Sequence, residues 1–138
     1  MEWKHDSLPY RISDDKQLLD LNMIHTLLQS SYWASERSIE RTKESIAGSL
    51  CYGIFDESGQ IGFMRVVTDR ATISWICDVI IHPDHRGKGL GKWLMQYLLE
   101  HPDVRHTNML LGTRDAHGLY EQFGFERREM MRRTVVSH

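Results

Sequence analysis

The segment Ile80-Ile81-His82-Pro83-Asp84-His85-Arg86-Gly87-Lys88-Gly89-Leu90-Gly91-Lys92-Trp93-Leu94-Met95 constrains this chain more than any other. An apolar run ends at Pro83, an arginine is followed by alternating glycines, and an amphipathic stretch then begins. Glycine at 87, 89 and 91 leaves the backbone bare and free to take positive φ. Where a strand gives way to a helix, such a loop aims several N–H groups at one point beside the positive end of the helix dipole. The pattern predicts an anion cradle suited to phosphate. A glycine-rich turn that only caps a helix is the plainer alternative.

Two familiar glycine motifs do not fit. A P-loop needs a Gly five positions ahead of Gly-Lys-Ser/Thr. Here Arg86 holds that early position and Trp93 follows Gly91-Lys92, so no hydroxyl is placed for Mg²⁺. The dinucleotide fingerprint needs a third Gly three residues after the second, and that position is Lys92. The spacing Arg86-Gly87-x-Gly89-x-Gly91 instead resembles the acetyl-CoA pyrophosphate loop of the GNAT N-acetyltransferase superfamily.

A second segment adds to the resemblance. Thr113-Arg114-Asp115-Ala116-His117-Gly118-Leu119-Tyr120-Glu121-Gln122-Phe123-Gly124-Phe125 looks like the second superfamily motif, a helix carrying Ala, Leu and Tyr and ending in Gly-Phe. The likeness therefore runs from Gly53 to about Phe125, with both motifs in the expected order. It departs at Thr113, where the superfamily often has Asn; Thr has a different reach and lacks the amide's paired donors.

Periodicity sets the expected elements. Tyr10 to Ser13 reads as a short strand after a loose lead-in from Met1 to Pro9. Ser13, Asp14 and Asp15 are cap candidates for a helix patterned by Leu18, Leu19, Leu21, Ile24, Leu27 and Leu28. Ser35 or Ser38 caps a second helix that Gly48 closes. Strands follow over Leu50–Phe55, Ile61–Thr68 and Ala71–Ile81, the first two joined by a hairpin at Asp56–Gln60. Then come a helix over Leu90–Leu99, a short strand at Met109–Gly112, a helix over Ala116–Gln122 capped by Asp115, and a last strand within Phe125–Val136. This order predicts a single domain over residues 1–138 of α/β (α+β) class, with helices on both faces of a mixed sheet. The resemblance makes that sheet mostly antiparallel and splayed at the acetyl-CoA site.

By the resemblance, main-chain groups of Val79, Ile80 and Ile81 hold the pantetheine arm, while Arg86, Gly87, Lys88, Gly89, Leu90 and Gly91 hold the pyrophosphate. Lys88 or Lys92 meets a ribose phosphate, unless both are ordinary surface charges. Tyr120 occupies the place of the superfamily tyrosine that protonates the leaving thiolate, and a phenol is protonated at neutral pH. Its alternative is a core aromatic. Asp78 is the candidate base, because an acid within so apolar a run is expensive to desolvate and burial would raise its pKa. A carboxylate satisfied by hydrogen bonds at a strand bulge is the competing reading. With period 2, Thr72, Ser74, Ile76, Asp78 and Ile80 share one strand face. Tyr32-Trp33, with Glu36 nearby, forms either an aromatic wall over an amine or a packed corner between helices.

Composition narrows the classes. Net charge of −2 gives no general nucleic-acid or membrane footprint. Cys51 and Cys77 make neither a disulfide framework nor a metal pair, and the eight histidines are scattered, so no metal is expected. Met1-Glu2-Trp3-Lys4 does not open a signal peptide, and a cytoplasmic monomer or homodimer is expected. The leading function is an N-acetyltransferase moving acetyl from acetyl-CoA to a primary amine by direct attack. A non-catalytic acyl-CoA-binding module and a nucleotide-phosphate enzyme are the competitors.

Overall fold

The computed structural model describes residues 1–135. Its strands are β1 (Glu2–Lys4), β2 (Arg11–Ser13), β3 (Leu50–Asp56), β4 (Gly59–Thr68), β5 (Ile73–Ile81) and β6 (Asn108–Leu111). They lie side by side in chain order, antiparallel except for the parallel pair β5–β6. The helices are α1 (Leu21–Gln29), α2 (Ile39–Ala47), α3 (Leu90–Glu100) and α4 (His117–Glu121).

Two apolar layers hold the helices to opposite faces. On one, Leu90, Trp93, Leu94, Tyr97 and Leu98 of α3 pack with Ile12, Tyr52, Ile54, Met64, Val66 and Ile76. On the other, Ile24, Leu27 and Leu28 of α1 pack with Cys51, Phe63 and Ile80. The mixed, mostly antiparallel sheet with helices on both faces thus agrees with the element order read from sequence.

Several local expectations are corrected. The lead-in contains a strand, because Trp3 pairs opposite Ile12 and stacks on Tyr97 with ring centroids 5.2 Å apart. The first helix starts at Leu21, capped by Asp20, whose carboxylate accepts the Met23 N–H at 3.0 Å; Leu18 lies outside it in a short 3₁₀ turn. Ser38 does cap α2, through the Arg41 N–H at 3.1 Å. Asp115 does not cap α4, whose N-cap is Ala116 with no side-chain cap; ahead of it the hydroxyl of Thr113 accepts the Ala116 N–H at 3.0 Å. Residues 125–135 form no strand, and Val136 lies outside the described residues. That segment has few apolar residues to bury, and Met130, Met131 and Val135 are exposed.

The strict alternation expected along β5 also fails. Phe63 pairs with Ile80 and Arg65 with Cys77, so Met64 alone stands opposite both Asp78 and Val79. This is a β-bulge, and Asp78 adopts φ of 52° within it, a left-handed conformation Asp tolerates better than most residues. The extra residue inverts the side-chain alternation. Ile76 therefore joins the α3 layer while Ile80 joins the α1 layer.

Candidate active site

The bulge sits beside a gap in the sheet. β5 pairs with β6 only from Ile73 opposite Asn108 to Ile76 opposite Leu111. Beyond Ile76, β5 stays bonded to β4 through Ile81 but has no strand partner on its β6 side among the described residues. The main chain of Cys77 to Ile81 therefore borders an opening, but Ile80, opposite Phe63 and next to the bond from the His82 N–H to the Ile61 carbonyl, turns its own N–H and carbonyl toward β4 rather than into the gap. Ile81 offers less than expected, because its carbonyl already accepts a hydrogen bond from Arg86 Nε at 2.9 Å.

The glycine loop follows. Gly87 and Gly89 have φ of 80° and 77°, and a Cβ on either would meet nothing within 4 Å, so both lie open to an approaching group. Gly89 is the N-cap of α3 and has no side chain to bond the helix start. The first intrahelical bond runs from the Trp93 N–H to the Gly89 carbonyl at 3.1 Å. The N–H groups of Leu90, Gly91 and Lys92 thus precede the helical ladder and project from its positive end. Leu90, buried in the α3 layer, fixes where that end lies. Gly91 has no positive φ, and a Cβ there would make only an ordinary contact, 3.5 Å from Leu119 of α4.

Lysine placement differs from a free phosphate donor at position 88. Lys88 Nζ donates to the Tyr10 hydroxyl at 3.1 Å, and that hydroxyl is 2.7 Å from His85 Nδ1. Lys92 is exposed.

A cleft of about 720 Å³ adjoins the gap. Tyr32, Trp33, Arg37, Arg65, Cys77, Asp78, Val79, Thr113, Asp115 and Tyr120 are among its lining residues. Tyr120 is partly buried between the α3 layer and this cleft, edge-on to Phe125 at 5.9 Å. Burial, reinforced by Tyr32 and Asp115, pushes its hydroxyl above the ordinary phenol pKa. Tyr120 therefore holds its proton at neutral pH. Cys77 is half-buried, and desolvation raises its pKa; Cys51, fully buried, is pushed up to about 11 for the same reason. Both are thiols rather than thiolates near neutrality.

Asp78 is not the raised-pKa carboxylate that its apolar run suggests. Desolvation does push its pKa up, but Arg37 and Arg65 together outweigh it, and the net shift is downward. Arg37 Nη1 and Arg65 Nε each reach Oδ2 at 2.8 Å, and the Trp33 indole N–H donates to Oδ1 at 2.9 Å. A carboxylate held this way is a weak proton acceptor. The bulge reading of Asp78 describes its backbone; its hydrogen-bond partners come from α2's approach, β4 and the loop after α1.

Sequence reasoning missed these partners. Arg37 and Arg65 look like ordinary surface charges in the linear pattern, separated from Asp78 by 41 and 13 residues. One signal was available: an acid in an apolar strand requires a cation, and Arg65 lies on the strand expected to neighbour it. Tyr32 and Trp33 line the cleft and meet edge to face with ring centroids 5.1 Å apart. The Trp33 indole anchors Asp78, and Arg114 stacks 3.7 Å above the Tyr32 ring while donating its N–H to the Tyr32 hydroxyl at 3.2 Å. This second contact ties the loop after α1 to the loop before α4 across the cleft.

Residues 47–127 match the model for the acetyltransferase (GNAT) domain, more than half of the chain. A crystal structure from Xanthomonas campestris pv. campestris, described as belonging to the GNAT family, superposes with a TM-score of 0.87 at 37% identity, covering 91% of this chain and 93% of that one. A protein of Gibberella zeae whose name places it among acetyltransferases is 28% identical over 85% of this chain and 79% of its own length. An uncharacterized N-acetyltransferase, ycf52, from Gracilaria tenuistipitata var. liui is 31% identical over 78% of this chain, which spans 62% of that relative. The chain belongs to the GNAT family and is an acetyltransferase of that family. No helix among the described residues is long and apolar enough to cross a membrane.

Proposed function

We propose that this chain moves the acetyl group of acetyl-CoA to a primary amine by direct attack, as one catalytic domain acting in the cytoplasm. The observation that carries the reading is a juxtaposition. An uncapped helix start with two left-handed glycines adjoins an unpaired strand edge, and that edge opens on a cleft holding a protonated tyrosine.

The residues fit the co-substrate. N–H groups from Gly87 to Lys92 suit the diphosphate, because a helix start offers unpaired donors and a favourable dipole. Arg86 adds a charged guanidinium whose Nε is held on the Ile81 carbonyl, leaving its remaining nitrogens for phosphate. Val79 and the Ile81 N–H suit the pantetheine amides by strand-like hydrogen bonding at the open edge. Acetyl-CoA supplies an activated acyl carbon and a thiolate leaving group; the protein orients it and manages the proton.

In the reaction the amine nitrogen bonds to the acyl carbon, the carbon–sulfur bond breaks, and the sulfur takes the Tyr120 hydroxyl proton. The surplus proton on nitrogen leaves through the open cleft to water, and Tyr120 is reprotonated from solvent. Asp78 acts as a positioning residue that fixes Arg37, Arg65 and Trp33 around the cleft. The cysteines take no part, since direct transfer needs no enzyme nucleophile.

The test combines calorimetric titration of acetyl-CoA with a free-thiol release assay across a panel of amines. Cofactor binding with turnover of at least one amine supports the proposal. Tight binding with no acetylation of any amine would convert the assignment to an acyl-CoA-binding module.

A further inference from the structure

We infer that the acceptor half of the cleft contains an anion subsite, centred on Arg37 with Arg65 behind it, and that the acceptor is an amine bearing a carboxylate or phosphate. This inference rests on the acetyl-transfer reading and assigns its substrate class.

Charge comes first. Two guanidiniums share a single carboxylate, so the Arg37–Asp78–Arg65 triad keeps one positive charge uncancelled. The side chains are only 20% and 13% exposed for the two arginines and 1% for Asp78, which limits compensation by bulk water. An uncancelled charge at such depth is costly and attracts a counter-anion. Arg132 and Arg133 also line the cleft, and Asp115 is the one other carboxylate among its described lining residues.

Donor geometry comes second. Asp78 uses one terminal nitrogen of Arg37; the other terminal nitrogen and Nε have no partner among the described residues. These two form the fork that binds a carboxylate or phosphate edge-on. Arg65 is spent differently, with Nε on Asp78 and Nη1 on Ser49 Oγ at 3.1 Å, so it supplies charge and rigidity. The Trp33 indole, pinned on the same Asp78, lines the same cleft.

Position comes third. None of residues 86–91 lines this cleft, so the arginine pair is separate from the cradle offered to the cofactor diphosphate. Val79 and Tyr120 do line it, which puts the reacting acyl group within the same space. An acceptor anchored by its anion on Arg37 would thus direct its amine toward Tyr120 and the bulged strand.

The experiment compares matched acceptors in the thiol-release assay: phenylalanine against phenylalanine amide and phenethylamine, and phosphoethanolamine against ethanolamine. The expected result is at least a tenfold higher kcat/KM for one anionic set over its neutral counterparts, about what charge-assisted hydrogen bonding supplies. The set that gains identifies carboxylate or phosphate. R37K, which keeps the charge but loses the fork, should raise KM for that set while leaving the KM of acetyl-CoA unchanged. Equal or better turnover of the neutral amines overturns the subsite while leaving acetyl transfer intact. If no amine is acetylated, the transfer reading fails by itself. The subsite is then judged by titrating 3-phenylpropionate and inorganic phosphate into the wild-type protein with CoA present, where absence of binding overturns it. Should R37K not fold, the same titration at low and high salt decides in its place.

Discussion

Replacing Asp78 by Asn separates the two roles this residue could play. The side chain accepts two guanidinium bonds at 2.8 Å on one oxygen and an indole bond at 2.9 Å on the other. Asn preserves the shape and can still face the indole with its carbonyl, but its NH₂ then meets two arginine donors. Two charge-assisted bonds are lost and two like charges are left adjacent. Removing one partner of a fully buried pair costs about 3–5 kcal/mol. The arginine side chains remain 20% and 13% exposed, so solvent screens part of the loss and about 3 kcal/mol is expected. For a chain of this size that corresponds to a fall in Tm of roughly 10 °C.

The pH dependence has a definite sign. The folded carboxyl is held below its ordinary value, so its contribution is complete above the unfolded pKa of about 3.9 and is lost as pH falls toward the folded value. The wild-type advantage over Asp78→Asn should therefore be constant from pH 5 to 8 and shrink below about pH 4. Urea denaturation at several pH values measures it. A difference under about 1 kcal/mol at pH 7 would refute the clamp. So would a difference that persists undiminished at pH 3. Kinetics give a separate check: a limb of the wild-type kcat/KM profile near neutrality that vanishes in the variant would restore Asp78 as the base.

Three other substitutions test the frame. Gly89→Asp should leave a folded protein, since its Cβ meets nothing within 4 Å, at a cost of about 1–2 kcal/mol for the left-handed φ; calorimetry should find CoA binding abolished, and retained micromolar affinity would contradict the cradle. Tyr120→Phe should lower kcat on the order of 100-fold with little change in cofactor affinity, and unchanged rates across the pH range would remove its acid role. Gly53→Ala places a Cβ 2.6 Å from the Phe55 ring and 3.1 Å from Leu19, so denaturant titration should show a loss of about 1–3 kcal/mol; an unchanged midpoint would mean the ring turns aside freely.

Spacing alone carried the glycine loop, the strand before it and the helix after it. Each depends on residues within a few positions: Pro83 ends the strand, Gly87 and Gly89 take dihedrals other residues avoid, and Leu90, Trp93 and Leu94 repeat with helical period. The same local logic located Ser38 as the cap of α2. It failed for Trp3 and for residues 125–135, where burial against other segments, not local propensity, decides whether a strand forms.

The interior of the site was decided elsewhere. A bulge is a mismatch between two strands, so no pattern within β5 alone reveals that Ile76 and Ile80 face opposite layers. The protonation of Asp78 likewise turns on Arg37 and Arg65, brought to it by sheet register and by the path of the chain into α2. Backbone dihedrals and helix caps obey short-range sterics, which neighbouring residues encode directly. Charge pairing deep in a cleft obeys distance in space, and that distance exists only once the sheet and its helices have packed.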